Sequence, residues 1–455
     1  MMSIQTKKLS MGLLLAALIT SACGDTSEDS GVNVDQNVGG VSCDEGAGVC
    51  VLSGVITEDL TLTADTDWLL RGGVFVGDDV NTTTLTIEPG TTIFGETSTN
   101  GFLAIRRGSK IDAAGTKDAP IVFTSSQAEG SRARGDWGGV IINGRAPINA
   151  CADEGDGGSC ESFGEGGTGF YGGDKTDDNS GVLRYVRIEF AGRILSPDNE
   201  LNGLALQGVG SGTELDFIQI HMGKDDGVEF FGGTVNFKHI LTTGIADDNL
   251  DWTDGWQGKG QYFIALQYED AGDNGIEADN NGEDNSASPR SNPVLSNVTL
   301  IGQPDSDLSD IGVLLREGTA GEIHNAVITG WNDTCFDIDQ LETFSNAKSG
   351  DLAVANSLLD CASPFGDGED AEEDFEGDDA MSIEDFYNGG EGNTTGDPKL
   401  TNVDTAAPDF RPSSGSPAAS GAVVPADGFF DQVDYKGAVD PSQDWTEGWT
   451  TSVRN

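Results

Sequence analysis

The chain has 455 residues and a formal charge of −53, from 77 acidic and 24 basic side chains, with three His besides. So acidic a surface repels nucleic acid and anionic lipid and suits divalent cations or a salty medium, which excludes nucleic acid as an expected partner. Disorder is excluded as well, because 36% of residues are apolar, seven Trp and 20 Phe are present, and 65 Gly favour a turn-rich fold.

Residues 1–22 read as a secretory signal, with Lys7 and Lys8, an apolar stretch from Met11 to Ile19, and Thr20-Ser21-Ala22 before Cys23. Cys23 stands where a bacterial lipoprotein signal places its acylated cysteine, although Thr20 occupies a position where Leu is usual. Acylation there would give outer-membrane lipid as a partner, and no other segment approaches a membrane span. Residues 23–42 lack apolar periodicity and are expected to be a flexible acidic tether.

The body is expected over 43–455. Its six remaining cysteines are expected to form disulfides Cys43–Cys50, Cys151–Cys160 and Cys335–Cys361, since an even set of thiols in an exported chain is a structural framework. Short β-rich runs begin at Thr61–Leu70, Thr84–Ile93, Gly101–Ile111 and Pro120–Ser125. An inserted loop is expected near 152–181, too polar and glycine-rich for core.

From residue 183 the chain repeats itself. LRYVRIEFAG (183–192), LDFIQIHMG (215–223), VNFKHILTTG (235–244), LSNVTLIG (295–302) and IHNAVITG (323–330) form one series of runs. NGLAL (202–206), DGVEFF (226–231), DNLDW (248–252), NGIEA (274–278), IGVLL (311–315) and TCFDI (334–338) form a second. The markers Gly203, Gly227, Asn249, Gly275, Gly312 and Cys335 are spaced 24, 22, 26, 37 and 23 residues apart. That period belongs to an all-β, right-handed parallel β-helix, and the fixed leucine and asparagine pattern of a leucine-rich repeat is missing. The long step holds an insertion near 280–292.

Alternation sends Val228, Phe230, Leu250, Trp252, Ile276, Val313, Leu315, Phe336 and Ile338 inward. The outward positions carry Glu229, Asp251 and Glu277, then Leu314 and Asp337. Strands stacked ~4.8 Å apart place three acids above one another, each neighbouring pair repelling by roughly 1–3 kcal/mol. Calcium, with six to eight hard oxygen ligands, would relieve that repulsion. The expected metal ligands are Asp226, Glu229, Asp248, Asp251 and Glu277, with Asp225, Asp247, Asp273 and Asn274 alongside. The plainer alternative is that the Asp and Asn residues only close turns and that the row is solvated.

Trp252 and Trp256 flank the acidic turn 253–255; Trp252 alternates inward, and Trp256 is the candidate exposed ring for stacking on a glycan. Arg316 falls in a second outward column between Asp279 and Asp339, where it either pairs with those acids or serves as the base of a lyase. Lys224 and Arg187 are weaker candidates for that base. Paired carboxylates could instead hydrolyse a glycoside, but the Gly-His-Gly element of β-helix polygalacturonases is absent, and His221, His239 and His324 lie on separate coils. The sequence has no phosphate loop, zinc-spaced Cys/His cluster or nucleophile elbow, so no organic cofactor is expected. A last insertion is expected near 364–395, very acidic over 367–379, followed by a short helix at 380–387 with Met381, Ile383 and Phe386 facing in.

GDWGGVIINGRAPIN (135–149), FYGGDKTDDNSGVLRYVRIEFAG (170–192), DPKLTNVDTAAPDFRPSSGSPAASGA (397–422) and DYKGAVDPSQDWTEGWT (434–450) resemble a family of bacterial surface lipoproteins, of no settled activity, with a pectin-lyase-like β-helix. The acids after Cys23 are also similar to the export signals of some bacterial surface lipoproteins, which implies an outer-membrane lipoprotein facing the cell surface in preference to the periplasm. The expected role is a binding or scaffold β-helix, adhesin-like, taking calcium and a glycan (polysaccharide) or an outer-membrane protein partner. The alternative is a calcium-dependent polysaccharide lyase, or a glycoside hydrolase, acting on acidic polysaccharide through Glu229, Asp251, Glu277 or Arg316.

Overall fold

Apolar residues at every second position, interrupted by turns rich in Gly, Asp and Asn, wind the chain into stacked coils. The computed structural model describes residues 40–44, 46, 48–151, 153–154, 159–196, 199–366 and 381–455. The expected signal, the acylation site Cys23 and the tether up to residue 39 lie outside the described residues.

Each central coil has three sides. A long strand supplies two of them and a short strand the third. The long strands Gly181–Glu189, Glu214–His221, Asn236–Thr243, Lys259–Leu266 and Val294–Ile301 pair in parallel, each with the next. The short strands Leu204–Gln207, Val228–Phe231, Leu250–Thr253, Ile276–Ala278, Ile311–Leu315 and Thr334–Ile338 do the same. Earlier coils continue both stacks toward the N-terminus, as where Phe102–Ile105 pairs with Gly139–Asn143 and that strand with Leu204–Gln207. Crossovers between parallel strands wind right-handed, and this stack is a right-handed parallel β-helix.

One coil alone buries nothing on its inner side; stacking makes a continuous column. All nine residues predicted to point inward, from Val228 to Ile338, belong to that single core. Each fully buried Leu, Ile or Phe contributes about 1.5–3 kcal/mol.

The bend within each long strand falls on one residue in left-handed backbone conformation: Tyr185, Phe217, His239, Tyr262 and Asn297, followed on the next coil by Asn325 between the strands Gly321–His324 and Val327–Thr329, with φ between 48° and 67°. Asn tolerates that region, whereas an aromatic residue there is strained. Stacking offsets the strain, with ring centroids 4.4 Å apart for Tyr185–Phe217, 4.2 Å for Phe217–His239 and 4.7 Å for His239–Tyr262.

The C-terminal residues run back along this corner. Gln219 donates to Thr451 O at 2.8 Å and accepts from its N–H at 2.8 Å. Gln261 does the same with Asp431, and Asn325 with Val423. Trp445 and Trp449 pack edge-on against Phe217, and a second apolar cluster forms between this segment and the outer face of the sheet.

The three disulfides form as paired in the sequence, with Cys335–Cys361 tying adjacent coils. Within the 152–181 insertion, Cys160–Gly164 and Gly169–Gly172 form an antiparallel hairpin whose Tyr171 is buried against Phe231. A helix at Leu341–Ser349, which alternation did not signal, buries Phe344. The later helix runs Ile383–Gly389, capped by Ser382, whose Oγ accepts from Asp385 N–H at 3.0 Å. Among the described residues no helix is long and apolar enough to cross a membrane.

Candidate metal centre

Three consecutive coils repeat one local pattern: Asp225-Asp226-Gly227-Val228-Glu229, Asp247-Asp248-Asn249-Leu250-Asp251 and Asp273-Asn274-Gly275-Ile276-Glu277. The apolar residue anchors each strand in the core, and the register carries the polar positions into columns. Glu229 lies opposite Asp251, and Asp251 opposite Glu277. Ala205 and Leu314 bound the row on either side.

The turn residues form a second column held by backbone. Asp226 Oδ1 accepts from Asp248 N–H at 3.1 Å, Asp248 Oδ1 from Asn274 N–H at 2.8 Å, and Asn274 Oδ1 from Ile311 N–H at 3.2 Å. Each carboxylate thus has one oxygen fixed by the coil above. Turn closure explains that much of the aspartate pattern and leaves the other oxygens unexplained.

These acids are not a solvated row. Asp225, Asp226, Glu229 and Asp248 are each at most 9% exposed. Asp251 Oδ1 is buried without a hydrogen-bond partner, and Asp225 Oδ2 is buried with no N–H or O–H of the protein reaching it, its carboxyl lying against that of Asp247. Such orphaned oxygens are costly unless something absent from the protein pairs with them. Asn202, one coil earlier, donates to Glu229 Oε2.

Electrostatics follow from the crowding. Burial, then Asp247, Glu200 and Glu165, push the Asp225 carboxyl up to about 8. Burial raises Glu277 to about 7 despite Arg316. Asp226, Glu229, Asp248 and Asp251 are all held well above the usual carboxylate range, by burial first and by neighbouring acids second. A bound cation reverses that logic and favours the ionised form.

The lattice offers four overlapping sets of three ligand oxygens, each set within 4.8 Å: Asp225/Asp226/Asp247, Asp226/Glu229/Asp251, Asp247/Asp248/Asp273 and Asp248/Asp251/Glu277. Two oxygens on one calcium stand no farther apart than about twice the 2.3–2.6 Å bond length, so this spacing fits. An all-oxygen donor set suits calcium better than zinc or copper.

Arg316 sits at the C-terminal side, bonded to Asp279 through Nε at 2.9 Å and to Glu277 through Nη2. It is thereby committed to a salt bridge. Arg187 is bound to Glu189 and to Trp449 O on another side of the coil. Lys224 is exposed and close enough to oppose the rise of the Asp247 carboxyl.

Trp256 requires a correction. It is fully buried, stacked on Phe230 at 4.0 Å, with its indole N–H donating to Val235 O at 3.1 Å. The strand ends at Thr253, and Asp254, at φ 56°, turns the chain so that Trp256 folds into the core; it offers no ring to a glycan. Glu165, in the 152–181 insertion, and Glu200, on the short strand Asn199–Leu201, which the sequence does not single out, both act on Asp225. Glu200 N–H donates to Glu165 Oε2 at 3.2 Å. Their positions follow from tertiary contacts, which no coil period reveals.

Fold and site together define a parallel β-helix with an acid-lined lateral face. A family model described as a pectate-lyase like beta helix domain matches residues 54–408, and the chain belongs to that family. Searches of curated proteins and of solved structures found no match.

Proposed function

We propose that this protein is a cell-envelope binding or scaffold β-helix that holds calcium in the acidic lattice and uses it to engage an acidic glycan. The observation that carries this reading is the unpartnered buried oxygen of Asp251, with the carboxyl-to-carboxyl contact of Asp225 and Asp247, within a lattice of matched ligand spacing. A chain of net charge −53 repels a polyanionic glycan unless a cation bridges them. The signal-like residues 1–22 and Cys23 support anchorage to the outer membrane by acylation, facing the cell surface. An outer-membrane protein is the other partner that such a rigid stalk suits.

A calcium-dependent lyase is favoured by one feature, the exposed Lys224 beside Asp247, which could serve as a base near the metal. The engagement of Arg316 by Glu277 and Asp279 weighs against it as that base. A glycan array probed with and without chelator, alongside an ultraviolet assay for unsaturated sugars, separates the readings. Calcium-dependent retention without product supports binding, product supports the lyase, and retention unaffected by chelator contradicts both.

A further inference from the structure

The coil repeat reproduces one set of ligand positions from coil to coil, and the sequence cuts that series off at both ends. Asp226 and Glu229 of one coil meet Asp251 of the next, and Asp248 and Asp251 meet Glu277 in the same way, each set with oxygens within 4.8 Å of one another. One step earlier the corresponding positions hold Asn202 and Ala205. One step later they hold Asn274 and, opposite Glu277, Leu314. Two complete sets remain, one in each gap between the three coils.

Asp251 belongs to both sets, and its Oδ1 is buried without a hydrogen-bond partner. Asp225, 6% exposed, brings to the first gap an oxygen that no N–H or O–H reaches. Asp225 and Asp247 flank the first set, and Asp247 and Asp273 the second, adding oxygens toward the six to eight that calcium takes. A divalent ion in one gap alone would leave the acids of the other facing each other.

We infer, on the reading of this face as a calcium site, that the lattice holds two ions, one in each gap, bridged by the Asp251 carboxylate and about 4.8 Å apart. The first ion takes Asp226, Glu229 and Asp251; the second takes Asp248, Asp251 and Glu277. Arg316 already holds Glu277, so the second ion has a competitor that the first lacks and is the weaker of the two.

The test is equilibrium dialysis of the chelator-stripped full chain against calcium chloride in high salt, which screens the general acidic surface. Bound calcium per chain is compared with that of the Glu229→Gln/Asp251→Asn/Glu277→Gln variant, with folding checked by near-ultraviolet circular dichroism. The expected difference is two ions. Glu229→Gln should weaken only the tighter ion and Glu277→Gln only the weaker one. Asp251→Asn should weaken both at least about tenfold, because each loses a charged ligand. Asp337→Asn, in the same outward column but beyond Leu314, should leave the count unchanged. Should the triple variant not fold, the single variants at Glu229 and Glu277 still show whether two ions respond separately. A difference of one ion, or the same ion weakened by both single variants, overturns the pair and leaves one calcium site. No difference overturns the calcium reading itself, and the pair with it.

Discussion

Glu229 pairs in register with Asp251 on the next coil, so two carboxylates share one side of a parallel sheet about 4.8 Å apart. Both are held well above the usual carboxylate range by burial and by each other's neighbours. Glu229→Gln or Asp251→Asn replaces a carboxyl that is costly to hold in this site with a neutral amide of the same shape. Each should raise the thermal midpoint of the chelated protein, by an amount corresponding to roughly 1 kcal/mol, and should reduce the rise that calcium produces. Melting curves in chelator and in calcium measure both effects.

Stability of the calcium-free protein should fall with rising pH. Asp225 titrates at about 8 and Glu277 at about 7 in the folded state, against about 4 when unfolded. Between those values the folded chain binds more protons than the unfolded one, so ionisation destabilises it as pH climbs. His221 works in the opposite direction at lower pH. It is buried and lowered to about 4, so its contribution is lost as pH drops below about 6.5, where the unfolded imidazole takes a proton. Urea midpoints should therefore decline from pH 6.5 to 8.5, and saturating calcium should flatten the decline.

Arg316 neutralises Glu277 and Asp279. Arg316→Met should destabilise the apo protein by about 1–2 kcal/mol, below the value for a fully buried pair because the guanidinium is about one-third exposed. Chemical denaturation measures this. If the chain proves to be a lyase with Arg316 as its base, the same variant would lose all product formation at full stability.

Trp256→Ala should cost about 3–5 kcal/mol, the range for deleting a buried aromatic side chain. The stack on Phe230 and the bond to Val235 O are both lost. A glycan-binding ring would instead show lost affinity at unchanged stability.

Much of this was legible in the sequence. A 22–26-residue period with period-two alternation determines both the core column and the acid row, because parallel strands in register transmit position from coil to coil. Glu229, Asp251 and Glu277 were found that way. Trp256 was misread because its place just beyond the acidic turn 253–255 suggested an exposed ring, whereas Asp254 reverses the chain and folds that ring into the core. The corner stack of Tyr185, Phe217, His239 and Tyr262 had a visible signal, an aromatic ring recurring at one position of each long run. That signal was hidden because a strand template does not anticipate a left-handed residue in its middle. Glu165 and Glu200 reach the site from an insertion and from the short strand Asn199–Leu201, whose placement depends on tertiary contacts alone.

Calorimetric titration of calcium into the chelator-stripped chain tests the central claim most directly. Saturable binding is expected, with an enthalpy that varies with buffer because the raised carboxyls of the lattice release protons, and it should vanish in the Glu229→Gln/Asp251→Asn double variant. Absence of saturable binding at millimolar calcium, or an unchanged isotherm in the folded double variant, would contradict a metal centre on this face.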